Sequence, residues 1–82
     1  PELEARRKRT ADEQAALQQQ QQERDAAVRA DNCSRASAQL ALLNDGQRIA
    51  RTNAQGEREV LDDKARAEEL QRTRAVVASN CR

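Results

Sequence analysis

The 82-residue chain contains no aromatic residue, no histidine and no methionine. With only twelve leucine, isoleucine and valine residues, it can bury little apolar surface, and a domain of this size generally needs a staple. Because histidine and tyrosine are absent, no base is apparent that could activate Ser34, Ser37 or Ser79 as a nucleophile. We therefore predict that the protein is not an enzyme and binds no small-molecule substrate.

The chain also lacks a strong charge of either sign. Its 15 basic and 14 acidic residues leave a net charge of +1, too small for the whole chain to attract DNA or a membrane. No apolar run is long enough to span a bilayer. Because the chain begins at Pro1 without methionine, we expect a trimmed fragment or a mature form, with any export signal in the missing part.

Glycine and proline are nearly absent as well, and this scarcity favours helix. Nothing breaks a helix from Pro1 to about Asn44, and Gly46 is placed to close it in the left-handed conformation. The last third of this segment carries a stripe of small and apolar residues with helical spacing. The stripe comprises Leu43, Leu40, Ala36, Cys33, Ala30 and Ala26.

The stripe ends near Ala26, and this predicts the domain boundary. Residues 1–25 are predicted to form a polar, Gln- and Arg-rich stalk or linker, either a solvated helix or partly disordered. Residues 26–82 are predicted to form the packed module. The Gln18 to Gln22 tract, preceded by Leu17, could associate as a coiled coil, but it lacks sustained heptads. We therefore expect a monomer or a weak homodimer.

A β-hairpin is predicted between two helical segments. Asn53, Ala54, Gln55 and Gly56 fit a type I turn followed by a left-handed glycine and a bulge. The alternative is an irregular loop that contains glycine. The hairpin would pair Thr52 with Arg58, Arg51 with Glu59, Ala50 with Val60, and Ile49 with Leu61.

A second helix follows Leu61, with Asp62 or Asp63 as its N-terminal cap. Its predicted stripe comprises Ala67, Leu70, Arg74, Val77 and Cys81, with Thr73 and Val76 on the flank.

Each of the two stripes therefore carries one cysteine, Cys33 on the first helix and Cys81 on the second. Two cysteines without histidine cannot build a conventional zinc site, and their spacing fits no redox motif; we predict no metal and no cofactor. A Cys33–Cys81 disulfide is the favoured interpretation, and it would contribute about 4 kcal/mol by the loop-entropy model. It would place the protein in an oxidising compartment, periplasmic or secreted. The alternative is two small buried thiols in a cytosolic protein.

The candidate basic surface is the one run of like charge, formed by Arg6, Arg7, Lys8 and Arg9. This segment could contact nucleic acid or anionic lipid. However, Glu2 and Glu4 lie beside it, and no aromatic side chain is present to stack on bases. A solvated linker is the favoured interpretation, and nucleic-acid binding is unlikely.

A set of motifs lies in a fixed order between residues 26 and 82. They are Cys33, Leu40, Leu43, Gly46, Arg48, Ile49, Arg51, then N-A-Q-G-E-R, L-D-D and the Arg, Ala and Glu helix that ends at Cys81. In this order they resemble the C-terminal tail of a family of exported proteobacterial proteins of unknown function. Family members often carry aromatics after G-E-R, where this chain has Glu59 and Val60. The resemblance implies an envelope location and no assigned activity.

These observations predict a mainly α fold: an antiparallel helical hairpin with a short β-hairpin between the helices, stapled by Cys33–Cys81 and extended by a long N-terminal helix. The predicted function is a structural or protein-interaction module of the cell envelope with an unknown protein partner. The alternative is weak binding of nucleic acid or an anionic surface through residues 6–9.

Overall fold

The computed structural model describes residues 1–46 and 48–82 of the chain. Helix α1 spans Glu2–Asn44, strands β1 and β2 span Ala50–Thr52 and Arg58–Val60, and helix α2 spans Asp63–Asn80. The two strands form one antiparallel sheet. The predicted mainly α fold, with a β-hairpin between two helices and a long N-terminal helix, is confirmed.

Helix α1 continues without a break for 43 residues, because no proline or glycine lies within it. At 1.5 Å per residue it is about 64 Å long, close to the 70 Å longest dimension of the molecule. At its end, the Asp45 N–H donates to the Ala41 carbonyl at 3.0 Å. Gly46 follows with a φ of +76°, a left-handed conformation that glycine adopts without steric cost.

The β-hairpin has the predicted register, with Ala50, Arg51 and Thr52 opposite Val60, Glu59 and Arg58. The Leu61 N–H extends the pairing by donating to the Ile49 carbonyl at 2.9 Å. Across the strands, Arg51 and Glu59 form an ion pair at 3.0 Å. The pairing predicted from opposite charges and matched aliphatic residues is therefore confirmed.

Helix α2 begins at a side-chain cap. The Asp62 carboxylate accepts a hydrogen bond from the Ala65 N–H at 2.8 Å, which satisfies one of the free N–H groups at the helix start. Of the two aspartates proposed as the cap, Asp62 is the one that forms it. From there α2 packs antiparallel against the last part of α1.

The core between the helices is small. Among the described residues only Leu43, Ala36 and Thr73 are buried, with 3%, 8% and 6% of their surface exposed. Leu40 and Leu70 are half-buried beside them. A contact of this size removes little apolar surface from water, so apolar packing alone holds the two helices weakly.

Two details of the predicted stripes are wrong. Ala26 and Ala30 are exposed, because α2 ends at Asn80 and reaches along α1 only as far as Asn32. On α2, Ala67 and Arg74 are exposed.

The rest of the predicted α2 stripe agrees better with the structure, because Leu70 and Val77 lie on the contact face. Thr73, predicted on the flank, is buried there, and Arg66 is half-buried on the same face. Cys81, the last member of the predicted stripe, lies beyond the helix end in an extended conformation, with φ −87° and ψ 103°.

Candidate functional site

A disulfide joins the two helices at the end of the helix pair that lies away from the β-hairpin. Cys33 lies on the face of α1 that packs against α2, and Cys81 directly follows the last turn of α2. Their sulfurs are 2.12 Å apart and their Cα atoms 4.9 Å apart, across a sequence separation of 48 residues. The predicted Cys33–Cys81 bridge is therefore present in the structure.

Small polar side chains surround the bridge. The Ser37 hydroxyl oxygen lies 4.0 Å from the Cys33 sulfur and 3.7 Å from the Cys81 sulfur. Next to the bridged cysteines in sequence, the Asn32 amide donates to the Asn80 side-chain oxygen at 3.2 Å. These groups are exposed or half-buried, so the junction is open to water rather than enclosed in an apolar core.

A second polar contact closes the opposite end of the helix pair. The guanidinium of Arg66 on α2 donates to the backbone carbonyl of Leu43 near the end of α1. Because the last carbonyls of a helix have no partner within the helix, a cation placed there both satisfies an acceptor and favours the negative end of the helix dipole. The helix pair is thus held at one end by the disulfide and at the other by Arg66.

A shallow groove of about 370 Å³ runs between α1 and α2. Its lining comprises Asn32, Arg35, Ala36, Gln39, Glu69, Arg72, Thr73 and Val76. Arg35 pairs with Asp31 at 3.0 Å and Arg72 pairs with Glu69 at 2.7 Å. The hydrogen bond from Arg72 to Glu69, together with the charge of that carboxylate, raises the pKa of Arg72. The groove therefore contains two guanidinium groups, each paired with a carboxylate of its own helix.

The tip of the β-hairpin is organised by Asn53. Its side-chain oxygen accepts N–H groups from Gln55 at 3.0 Å and from Glu57 at 2.9 Å, while its backbone carbonyl accepts the Gly56 N–H at 3.0 Å. Gly56 has a φ of +79°. The turn residues identified in the sequence therefore build a compact turn.

The four basic residues at positions 6–9 are exposed on α1. Successive helical residues point about 100° apart, so the four side chains surround the helix instead of covering one face. Arg6 pairs with Glu2 at 2.9 Å. The helix therefore disperses this basic cluster, although the sequence places it in one short segment.

Within residues 1–46 and 48–82, no group of three carboxylate or cysteine side chains is arranged to hold a metal ion. Over the same residues, no helix combines the length and apolar character that crossing a membrane requires.

Sequence reasoning missed the roles of Arg66, Ser37 and the Asn32–Asn80 pair. The position of Asn80 next to Cys81, and of Asn32 next to Cys33, was a usable signal, because residues adjacent to two bridged cysteines must also lie close together. Arg66 had no comparable signal, because its partner is a backbone carbonyl.

No protein-family model, curated protein or solved structure matches this chain. The resemblance to the tails of exported bacterial proteins accordingly remains an expectation.

Proposed function

We propose that the chain is a non-enzymatic module of an exported envelope protein, periplasmic or secreted, that acts by holding or binding another protein. The single observation that carries the proposal is the disulfide between Cys33 and Cys81. Structural disulfides form and persist in oxidising compartments and are rare in the cytosol. The resemblance to tails of exported proteobacterial proteins supports the same location.

The dependence of the fold on this bond supports the location further. Three buried residues among those described leave little apolar packing to hold α2 in place. Closing a loop of this length contributes about 4 kcal/mol, a large part of the 5 to 15 kcal/mol that stabilises an ordinary domain. A fold that depends on a disulfide for much of its stability is suited to an oxidising compartment, where the disulfide is maintained.

An interaction role is supported by how little of α1 is used for packing. Residues 2–28 are all exposed, a helical segment about 40 Å long at 1.5 Å per residue. A helix without tertiary contacts is either stabilised by its own side-chain pairs or bridges other parts of an assembly. The exposed part of α1 can hold a neighbouring module away from the helix pair, or it can present one of its faces to a partner.

Two measurements in living bacteria test the proposal. Alkylation of the full-length protein before cell lysis is expected to leave Cys33 and Cys81 unmodified until a reductant is added. A photo-crosslinking amino acid at Leu17 of α1 is expected to capture a discrete protein in intact cells. Two free thiols in the cell, or crosslinks to no protein from any exposed position of α1, would contradict the proposal.

A further inference from the structure

The large aliphatic residues that α1 leaves exposed lie on one face of the helix. They are Leu3, Leu17, Val28 and Leu42, with 58%, 65%, 58% and 48% of their surface exposed. At about 100° per residue, all four fall within a sector about 60° wide. This face points about 90° away from the side that packs against α2.

We call the residues of this sector the arginine-aliphatic stripe. Besides the four aliphatic residues it contains three arginines and three neutral polar residues. Its members in chain order are Leu3, Arg6, Thr10, Leu17, Gln21, Arg24, Val28, Arg35, Gln39 and Leu42.

The stripe also concentrates charge of one sign. Helix α1 carries seven basic and seven acidic residues and is neutral as a whole. The stripe holds three of the basic residues and none of the carboxylates. The remainder of the helix therefore has four basic residues against seven acidic ones. Glu13 and Asp31 stand just outside one edge of the stripe, about 20° from it.

At its C-terminal end the stripe runs into the groove between the helices. Arg35 and Gln39 belong to the stripe and also line the groove, and α2 contributes Arg72 and the exposed Val76 to the same groove. A groove between two antiparallel helices is the surface against which a third helix packs in a bundle. Here a third helix would meet one arginine from each helix, Arg35 and Arg72, and also the carboxylate of Glu69, which pairs with Arg72.

We propose that the arginine-aliphatic stripe and the adjoining groove bind an amphipathic helix of a partner protein, whose aliphatic face is bordered by glutamate and aspartate. The proposal deepens, and rests on, the interaction role proposed above. The aliphatic residues supply the apolar contact, and the arginines select carboxylates, with which they form charge-assisted hydrogen bonds. In the structure, Arg6 pairs with Glu2 and Arg35 pairs with Asp31. These ion pairs are exposed and contribute little stability, so a partner's carboxylates can replace them.

Charge and composition argue against the two other occupants. A second copy docked stripe to stripe would bring six arginines into one interface, three from each copy. Carboxylates (Glu13 and Asp31) lie just outside only one edge of each stripe, so like charges would dominate the contact. A lipid surface is best bound by helices with a broad apolar face rich in bulky and aromatic residues. This stripe has four aliphatic residues along about 60 Å of helix, and the chain has no aromatic residue.

The binding test uses a synthetic helix of about 40 residues, which matches the length of α1 at 1.5 Å per residue. Its probe form carries leucine along one face and glutamate on both flanks, and its control form replaces every glutamate with lysine. Fluorescence anisotropy with the whole oxidised chain is expected to give at least tenfold tighter binding of the glutamate form. The difference is expected to shrink as salt rises from low to physiological concentration.

Matched variants locate the site. Removing three charges from the stripe with R6Q, R24Q and R35Q together is expected to weaken binding of the glutamate form at least tenfold.

The control removes three charges elsewhere, with K8Q, R9Q and R82Q together, and is expected to change binding less than twofold. Circular dichroism must show equal helicity for both variants, because glutamine and arginine have similar helix propensities. Replacing Leu17 and Val28 with glutamine is expected to weaken binding as strongly as the stripe variant.

Several results would overturn the inference. Three of them concern the synthetic helices: equal binding of the two forms, no binding of either form, or an equal loss of binding in the stripe and control variants. Two others would point to a different occupant of the stripe. These are a homodimer that the stripe variant abolishes, and stripe-dependent binding to phosphatidylglycerol vesicles instead of the peptide. Any of them leaves the proposed function standing if crosslinks from α1 still capture a protein in cells. Crosslinks that capture none overturn the proposed function itself.

Discussion

The guanidinium of Arg66 on α2 donates a hydrogen bond to the backbone carbonyl of Leu43 on α1. This contact lies ten residues along α1 from Cys33, about 15 Å away. The disulfide and Arg66 therefore act at opposite ends of a short helix pair with a small core between them. The stability of the module is expected to depend on these two contacts and on Leu43.

Among these three contributions, loss of the disulfide is expected to lower the free energy of unfolding the most. Replacing Cys33 and Cys81 with serine together is expected to lower the free energy of unfolding by about 4 kcal/mol and to release α2 from α1. Thermal melts followed by circular dichroism test this, with the oxidised wild type compared before and after reduction. Reductant must leave the melt of the double serine variant unchanged. A wild-type melt insensitive to reduction would refute the stabilising role of the bridge.

Replacing Arg66 with methionine is expected to destabilise the module by about 1 to 3 kcal/mol. Methionine keeps most of the apolar stem but cannot donate to the half-buried Leu43 carbonyl, which loses a hydrogen bond from a charged group. Urea unfolding of the oxidised chain measures the effect. The matched control is R74M, at an exposed position on the same helix, with an expected change below about 0.5 kcal/mol. Equal effects at both positions would contradict the role of Arg66.

Two adjacent leucines near the end of α1 are expected to respond differently to truncation. Leu43 is 3% exposed and Leu42 is 48% exposed. Replacing Leu43 with alanine is expected to cost about 2 to 3 kcal/mol, because it removes buried methyl groups and leaves a cavity. L42A is expected to cost less than about 1 kcal/mol. Denaturant midpoints of the two variants decide the question, and a reversed order would mean that α1 presents the other face to α2.

The glycine at the hairpin tip is expected to matter for its backbone conformation alone. Gly56 has a φ of +79°, and a methyl group at its Cα would meet no atom within 4 Å. Replacing Gly56 with alanine is therefore expected to destabilise the β-hairpin by about 1 to 2 kcal/mol, because alanine is strained at this backbone conformation. Asparagine at the same position is expected to destabilise it less, because asparagine tolerates a positive φ.

Amide hydrogen exchange measures that local cost. The N–H groups of Asn53 and Leu61 close the hairpin at its two ends. Their protection is expected to fall about tenfold in G56A, as 1.4 kcal/mol corresponds to a factor of ten, and less in G56N. Unchanged protection in G56A would show that the hairpin does not depend on the positive φ.

Much of the hairpin and the disulfide could be predicted from the sequence because the deciding signals are local. The turn residues Asn53 and Gly56 determine the conformation of the turn. The position of the turn then sets which residues of β1 and β2 lie opposite one another. The cysteine pair follows from elimination, since two cysteines without histidine leave few alternatives. The N-terminal cap of α2 could be narrowed only to Asp62 or Asp63, of which Asp62 forms the hydrogen bond.

The contact face of α2 could not be predicted in the same way. A helix rich in alanine and arginine has no strong apolar side, so the rotation of α2 about its axis depends on its neighbours. The structure turns Thr73 inward and Arg74 outward, whereas the predicted stripe included Arg74 and placed Thr73 on its flank. Cys81 lies beyond the end of α2 in an extended conformation, so helical spacing does not apply to it.

By itself the sequence determined the elements of this protein, because helix propensity, turn chemistry and a single pair of cysteines act over short distances or leave few alternatives. The tertiary structure alone decided which faces meet, which carbonyl Arg66 reaches, and which side of α1 stays open. These depend on the angle and rotation of two weakly apolar helices, and no short segment of the chain encodes that geometry.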